Sequence, residues 1–432
     1  MSYCADYLWN AHGSARSVPL PATATGAARF AIAGIPNIHS HAFQRAMAGL
    51  AERAGPGEDS FWTWREAMYA CAQRMDPDRL RAVAAQLYAE MLEAGFTWVC
   101  EFHYLHHQPG GRAYAPAEAM AVALVEAARE TGIGLTLLPV LYQRGGFDDR
   151  ALDDRQQRFS HDTAAFLRLL ETLAVHEGPR LRLGTAFHSL RAVSVEAMRE
   201  VLATESAAQR PLHIHIAEQI GEVQECLARH KARPVDWLCD QVDIDRRWTL
   251  VHATHLSAEE RMRIARSGAV VALCPTTEAN LGDGLFPLRE YLSDGGRFGI
   301  GSDSHISVSP VEELRWLEYG QRLIARRRNR VALEAGESCG EVLLGAALGG
   351  GWQATGVETP PDDIVVLEDE APALAGASAR DLVDRWVFAS QRPLVREVYA
   401  GGVRVVERGR HVHADALRER FARVMRDTFS VR

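Results

Sequence analysis

The chain has 432 residues, of which 47% are hydrophobic and 24% are charged, and its formal net charge at pH 7 is -8. This mild acidity argues against a nucleic-acid or anionic-membrane partner, and no apolar run approaches the ~18 residues that cross a bilayer. The seven cysteines are scattered without a C-x-x-C pair, so they indicate neither a disulfide framework nor a zinc knuckle, and we expect a protein of the reducing cytoplasm.

Along the first 300 residues, short β-branched runs alternate with longer amphipathic runs. Eight such strands alternating with helices predict an α/β protein with a (β/α)8 TIM barrel. The alternative is an open doubly wound sheet, which normally keeps a phosphate-binding glycine loop where this chain has His39-Ser40-His41. The predicted strands are Phe30–Ile38, Thr97–Phe102, Leu135–Leu141, Leu181–Phe187, Leu212–Ile216, Trp248–Val251, Ala269–Leu273 and Arg297–Ile300.

The helices between these strands begin at capping residues and end at glycines. The predicted helices are Pro77–Ala94, Pro116–Thr131, Ala164–His176, Ser194–Ala203, Glu218–His230 and Ser257–Ser267. Farther along the chain, Glu312–Arg328 predicts a long helix, Asp363–Leu367 a strand, and Val395–Tyr399 with Val403–Val406 a hairpin that turns at Gly401-Gly402. The tail therefore predicts a small β subdomain beside the barrel.

Polar side chains stand at the carboxyl ends of six of the eight predicted strands, where barrels keep their active sites. A single histidine there is more often a structural residue, but imidazoles and a carboxylate gathered at one barrel mouth favour a metal site. These residues are His39, His41, Glu101, His103, His188, His213, His215, His252 and Asp303, with Glu218, His255 and His305 a few residues farther on.

Residues two apart on a strand point the same way, so His39 and His41 can bind one ion. His215 is nearer the barrel mouth than His213 and is the predicted ligand, with His252 as the fourth imidazole. Asp303 can both contact the metal and accept a proton from water. Nitrogen and oxygen ligands suit Zn²⁺, with Fe²⁺ or Mn²⁺ as alternatives.

The lysine content bears on the number of metal ions. A dinuclear barrel often bridges its two metals with a carboxylated lysine at the end of strand 4. The only lysine here is Lys231, in a polar loop after a predicted helix. The sequence therefore predicts one metal ion per chain.

The metal motif resembles that of the amidohydrolase superfamily, and His215-Ile216-Ala217-Glu218 resembles its mononuclear deaminase branch. Longer motifs resemble the formimidoylglutamate deiminases within that superfamily. These motifs are Pro36–Met47, Phe61–Glu66, Glu101–Tyr104, Phe187–Val193, His213–Gln219, Thr277–Gly284 and Gly301–His305.

The resemblance implies metal-dependent hydrolysis of N-formimino-L-glutamate to N-formyl-L-glutamate and ammonia, a step of histidine degradation. It implies that Glu218, Asp303 and His252 handle protons. It also implies substrate contacts, for which arginines suit the two carboxylates of a glutamate group. The implied contacts are Gln44, Arg65, Tyr104, His188 and Arg191.

Family members usually begin with several strands of a β-sandwich-like subdomain built from both termini. This chain departs from that pattern, because only the 34 residues 1–34 precede Ile35. We therefore expect a shortened N-terminal part of that subdomain in residues 1–34, the barrel in 35–345, and the remaining helices and C-terminal β subdomain strands in 346–432. We expect a homodimer that acts on a small molecule and water. Two alternatives are a related deaminase of a purine, pyrimidine or triazine ring and a metal-binding barrel without catalytic activity.

Overall fold

The computed structural model describes residues 3–24, 26–55, 61–204 and 208–429. Strands occur in three parts of the chain: the beginning, the alternating middle and the tail. In chain order the described strands are β1 (Cys4–Asn10), β2 (Gly13–Pro19), β3 (Ala28–Ala33), β4 (Ile35–Ser40), β5 (Phe96–His103), β6 (Gly134–Leu141), β7 (Leu181–Leu183), β8 (Thr185–Ser189), β9 (Leu212–Ile216), β10 (Trp248–His252), β11 (Val270–Leu273), β12 (Arg297–Ile300), β13 (Ile364–Leu367), β14 (Val395–Ala400), β15 (Val403–Glu407) and β16 (Arg410–His411).

Helices follow most of the middle strands and also close the chain. The described helices are α1 (Phe61–Ala72), α2 (Pro77–Ala94), α3 (Ala119–Thr131), α4 (Thr163–Leu173), α5 (Val195–Leu202), α6 (Ile220–His230), α7 (Pro234–Gln241), α8 (Ala258–Ser267), α9 (Pro275–Leu281), α10 (Leu288–Ser293), α11 (Pro310–Ala325), α12 (Cys339–Ala354), α13 (Leu382–Ala389) and α14 (Ala414–Phe429). None of the helices in the described ranges is long and apolar enough to cross a membrane.

Strands β4 to β12 form a closed parallel barrel. Pairing runs from β4 through β5 and β6 to β8, then through β9, β10 and β11 to β12, which pairs again with β4. The fourth barrel strand is divided into β7 and β8 at Gly184, where a side chain would collide with Leu138 and Pro211. The eight-position barrel confirms the predicted fold class.

The strands of the two termini form a separate seven-stranded sheet in the order β16-β15-β14-β13-β3-β1-β2. Three of these strands, β1, β2 and β3, precede Ile35. β2 (Gly13–Pro19) is an edge strand with largely exposed residues and no apolar alternation, so its local pattern does not predict a strand. Residues 1–2 and 430–432, the outer ends of the predicted terminal segments, lie outside the described residues.

One residue, Gly34, separates the terminal sheet from the barrel. The run Phe30–Ile38, predicted as a single strand, is divided there into β3 and β4. A Cβ atom at Gly34 would lie 2.2 Å from Thr97 Oγ1, and its backbone N–H donates to the Asp363 carbonyl at 2.8 Å. Only glycine fits this close approach, and the strand that carries His39 therefore starts directly at the sheet junction.

Helix α12 packs against strands β12 and β4, and the predicted boundary at residue 345 lies inside it. Its carboxyl end accepts a hydrogen bond from inside the barrel, because His213 Nε2 lies 3.0 Å from the Ala354 carbonyl oxygen. This contact places His213 away from the carboxyl ends of the strands, as a packed residue.

Candidate active site

Four histidines and one aspartate meet at the carboxyl ends of β4, β9, β10 and β12, and all five are buried. His39 Nε2 lies 3.1 Å from His41 Nε2 and 3.0 Å from His215 Nε2. Asp303 Oδ1 lies 3.4 Å from His41 Nε2, and Oδ2 lies 3.7 Å from His252 Nε2. Two overlapping groups, His39-His215-His252 and His39-His41-Asp303, are compact enough to hold a metal ion.

Hydrogen bonds to backbone carbonyls fix the tautomers of two of these imidazoles. His41 Nδ1 lies 3.0 Å from the Phe102 oxygen, and His215 Nδ1 lies 2.9 Å from the His188 oxygen. A carbonyl only accepts, so each Nδ1 carries the proton and each Nε2 directs a lone pair toward the shared centre. Burial lowers the pKa of His41 to about 3 and that of His39 and His215 well below the usual range. Neutral imidazoles with converging lone pairs fit a cation.

His252 differs from the other three histidines because carboxylates surround it. Burial alone lowers its pKa, but Glu218, Glu278 and Asp303 outweigh burial and raise that pKa to about 10. Its Nε2 lies 3.9 Å from Glu218 Oε1, and its Nδ1 lies 3.3 Å from Glu278 Oε1. His252 thus links the metal-type cluster to two further carboxylates.

Glu278 is a site residue that the strand-end pattern does not predict, although it lies in the motif Thr277–Gly284. It lies in α9, five residues past the end of β11 at Leu273, and also accepts the Cys274 backbone N–H at 3.0 Å. Its distance from the strand end is the reason that the pattern leaves it out. Cys274 also forms a compact group with His252 and Glu278, and burial raises the pKa of its thiol well above the usual range.

Replacing Glu278 by Gln is expected to lower kcat about tenfold while leaving KM and metal content unchanged. The amide keeps the side-chain shape but removes the charge that orients His252, and such supporting contacts are worth roughly 10- to 100-fold. Steady-state kinetics and metal analysis check this result, with Glu290→Gln on the exposed face of α10 as the control. An unchanged kcat in Glu278→Gln would mean that His252 needs no such support.

Strained backbone accompanies the cluster at three strand ends. Ala217, His252, Ala253, Asp303 and His305 have φ angles of 50°, 67°, 50°, 45° and 61°. Non-glycine residues with such angles cost about 1–3 kcal/mol each and concentrate at functional sites. Hydrogen bonds hold the turns in place, including Asp303 N–H to the His39 oxygen at 3.0 Å.

A buried polar network supports the strand that carries His39 and His41. Glu101 accepts the Ser40 hydroxyl and the Ala42 N–H, each at 2.6 Å, and the Tyr88 hydroxyl at 3.2 Å. His305 lies 3.2 Å from Ser40 Oγ through its Nε2. Burial raises the pKa of Glu101 to about 7 despite these donors. Glu101 and His305 therefore hold the metal-type strand in place instead of entering the cluster.

All five predicted substrate contacts line one cavity together with His41, His215, Glu218, His252 and Asp303. The cavity thus brings carboxylates, imidazoles and two guanidinium groups together. Gln44 donates to the Tyr104 hydroxyl at 2.9 Å, while its carbonyl oxygen has no hydrogen-bond partner among the described residues. The five residues are Gln44, Arg65, Tyr104, His188 and Arg191.

Other strand-end histidines lie outside this cavity. The ring of His103 packs 5.1 Å from that of His106, on the side of the barrel wall where His161 also lies. His255 is partly buried, and its backbone N–H donates to the Ala217 oxygen. Of the strand-end histidines, then, His39, His41, His188, His215 and His252 gather at the mouth.

Comparison with known proteins places this geometry in a family. The family model described as "Amidohydrolase family" matches residues 30–338. A formimidoylglutamate deiminase of Pseudomonas aeruginosa is 48% identical over 426 residues, covering 96% of this chain and 94% of that protein. An 8-oxoguanine deaminase of the same species is 26% identical over 296 residues, which is 67% of this chain and 64% of the relative.

Solved structures agree with the sequence comparison. An amidohydrolase from Brucella melitensis superposes with a TM-score of 0.93 at 42% identity, covering 99% of this chain and 100% of the other. A zinc-complexed atrazine chlorohydrolase from Arthrobacter aurescens shares the fold, with a TM-score of 0.81 at 19% identity over 98% of this chain and 99% of the other. The converging imidazoles, the barrel and the match over residues 30–338 show that the chain belongs to the amidohydrolase family.

Proposed function

We propose that this protein is a formimidoylglutamate deiminase that hydrolyses N-formimino-L-glutamate to N-formyl-L-glutamate and ammonia in histidine degradation. The observation that carries the proposal is the composition of one cavity. Metal-type imidazoles and the carboxylates of Glu218 and Asp303 share it with the guanidinium groups of Arg65 and Arg191. The 48% identity to a relative that bears this name supports the same activity.

The metal we propose is zinc, one ion per chain, with Fe²⁺ or Mn²⁺ as alternatives. The ligands would be His39, His41, His215, His252 and Asp303, whose nitrogen and oxygen donors suit this ion. Lys231, the only lysine, is exposed at the end of α6, and the fourth barrel strand carries His188 at its carboxyl end instead. When bound, zinc supplies a nucleophile from water near neutral pH and polarises the reacting group.

The carboxylates then account for the proton transfers. Burial raises the pKa of Asp303 to about 7, so it can accept the proton that water gives up as its oxygen attacks the formimino carbon. Glu218, whose Oε1 lies 3.9 Å from His252 Nε2, would hold the imino nitrogen and deliver protons to it. The carbon–nitrogen bond breaks, its electron pair leaves with the nitrogen as ammonia, and the carbon keeps the water oxygen as a formyl group.

Binding of the glutamate group is assigned to the two arginines of the cavity. Arg65 and Arg191 would each take a carboxylate through the planar guanidinium fork. Gln44 can accept a substrate N–H through its unpartnered oxygen, and Tyr104 and His188 complete the polar wall. Burial lowers the pKa of His188 well below its usual range and holds the imidazole neutral beside these arginines.

Deamination of a nucleobase-like ring is the second candidate function. The cavity also presents aromatic side chains that could stack on a ring, among them Phe61, Trp64, Tyr142 and Phe159. The 8-oxoguanine deaminase relative at 26% identity supports the same option. A flat, uncharged ring, however, offers no negative charge to pair with the two guanidinium groups.

A direct assay decides between these candidates. The purified protein, with its metal content measured, is incubated with N-formimino-L-glutamate, guanine, cytosine or a triazine, and ammonia is followed. We expect release from N-formimino-L-glutamate at least 100-fold faster than from any ring, since two unmatched charged groups cost about 3 kcal/mol or more. Release from a ring alone would overturn the proposal, and no release from any of them would leave a metal-binding barrel without catalytic activity.

We also propose that the protein works in the cytoplasm as a homodimer. The seven cysteines are all free, which suits a reducing compartment. Trp316, Tyr319 and Leu323 on α11 are exposed apolar side chains, a common feature of subunit contacts. Light scattering on the purified protein and fractionation of cells test these two points, and a monomer or a secreted protein would contradict them.

A further inference from the structure

Helix α1 places one indole ring, that of Trp62, next to both arginines of the cavity. Trp62, Arg65 and Tyr69 share a face of this helix, being three or four residues apart. The guanidinium carbon of Arg65 lies 5.0 Å from the Trp62 ring centroid and 5.1 Å from that of Tyr69. The rings one turn before and one turn after Arg65 thus hold its side chain along the helix.

The second arginine reaches the same indole from another part of the barrel mouth. Arg191 follows β8, and its guanidinium carbon lies 5.6 Å from the Trp62 ring centroid and 5.8 Å from that of Phe61. Cations within about 6 Å of a ring centroid are attracted by the negative face of the ring. One indole therefore contacts two positive charges that belong to distant segments of the chain.

This arrangement matters because two guanidinium groups repel each other and their long side chains have many rotamers. The indole ring of Trp62 contacts both guanidinium groups. It therefore offsets part of their repulsion and restricts the rotamers of both arginines before an anion binds. Preorganised groups bind a ligand more tightly because less conformational freedom is lost on binding. Trp62 is 43% exposed, so burial of its ring contributes little to the free energy of unfolding.

We propose that Trp62 is a positioning residue that sets the spacing of Arg65 and Arg191, and so makes the cavity selective for dicarboxylates. This inference rests on the proposed function for the identity of the substrate, but the spacing itself concerns two carboxylates on any short carbon chain. A ligand with one carboxylate uses one guanidinium only and gains little from a fixed distance between the two.

The experiment compares Trp62→Leu, which keeps an apolar side chain without a ring, with Trp62→Phe, which keeps an aromatic face. Trp62→Leu should raise KM for N-formimino-L-glutamate about tenfold with little change in kcat, and it should alter kcat/KM for N-formiminoglycine less than threefold. Trp62→Phe should recover most of the loss. Trp237→Leu is the matched control, because Trp237 stacks on His230 outside the cavity and should leave both substrates unaffected.

Coupling to the arginine is tested in the Arg191→Met background, where Trp62→Leu should have a clearly smaller effect than in the wild-type protein. Equal effects in both backgrounds, or equal losses for both substrates, would overturn the inference. Calorimetric binding of glutarate keeps the test independent of turnover. A Kd that rises about tenfold in Trp62→Leu supports the spacing role even if N-formimino-L-glutamate releases no ammonia, whereas an unchanged Kd rejects it.

Discussion

Glu218→Gln is expected to lower kcat for ammonia release about 1,000-fold while leaving zinc content unchanged. Glu218 lines the cavity, and its Oε1 lies 3.9 Å from His252 Nε2, so it can reach the nitrogen that departs. Glutamine has the same shape and can still hold that nitrogen, but it cannot carry a proton. General acid–base groups contribute roughly 10²- to 10⁴-fold to rates, and the estimate lies in the middle of that range.

The control for this change is Glu225→Gln, an exposed position on helix α6, which begins two residues after Glu218, and it should leave kcat within twofold of the wild type. Metal analysis and thermal unfolding of both variants separate a lost proton transfer from a lost fold. Retention of a tenth or more of the wild-type kcat in Glu218→Gln would show that another group protonates the leaving nitrogen. Asp303, which lines the same cavity, would then be the first residue to examine.

Arg191→Met is expected to reduce kcat/KM for N-formimino-L-glutamate about 100-fold, mostly through KM. The change removes a planar fork that can donate two charge-assisted hydrogen bonds to one carboxylate, worth about 3 kcal/mol together. Methionine retains much of the apolar stem, so packing against Phe61 is largely preserved. Steady-state kinetics with the wild type, Arg191→Met and Arg191→Lys measure the loss, and lysine should recover only a small part of it.

Arg199→Met serves as the matched control, because Arg199 bonds the Gln241 carbonyl on the outer surface. Its kinetics should equal those of the wild type. An unchanged KM in Arg191→Met would remove this residue from substrate binding. A simultaneous gain of activity on guanine would favour the ring-deaminase alternative.

The barrel could be predicted from sequence because each of its strands is a short apolar run bounded by turn residues. Two of those runs were predicted as continuous but are interrupted, at Gly34 and at Gly184. Both interruptions depend on close approach to residues far away in sequence, such as Thr97 and Pro211, so no local pattern reveals them. Strand β2 is not predicted because it lies at the exposed edge of its sheet, where a strand needs no alternation of apolar residues.

The site residues also divide into those that a local pattern predicts and those that depend on tertiary contacts. His39, His41, His215, His252 and Asp303 directly end or follow strands, so the position of each in a barrel predicts where its side chain meets the others. Glu278 lies one helical turn beyond its strand, and its contact with His252 depends on the packing of two βα units. Hydrogen bonds that set the imidazole tautomers are likewise tertiary contacts, formed by the carbonyls of Phe102 and His188.

The single residue between β3 and β4 joins the terminal sheet directly to the barrel that carries the candidate site. Gly34 ties a strand of the terminal sheet to the strand that ends in His39, with no loop to absorb movement. A chain shortened to begin at Ile35 would therefore lose the anchor that sets the height of His39 in the barrel. Protein engineers who shorten this chain past β3 should therefore expect to alter the reaction centre.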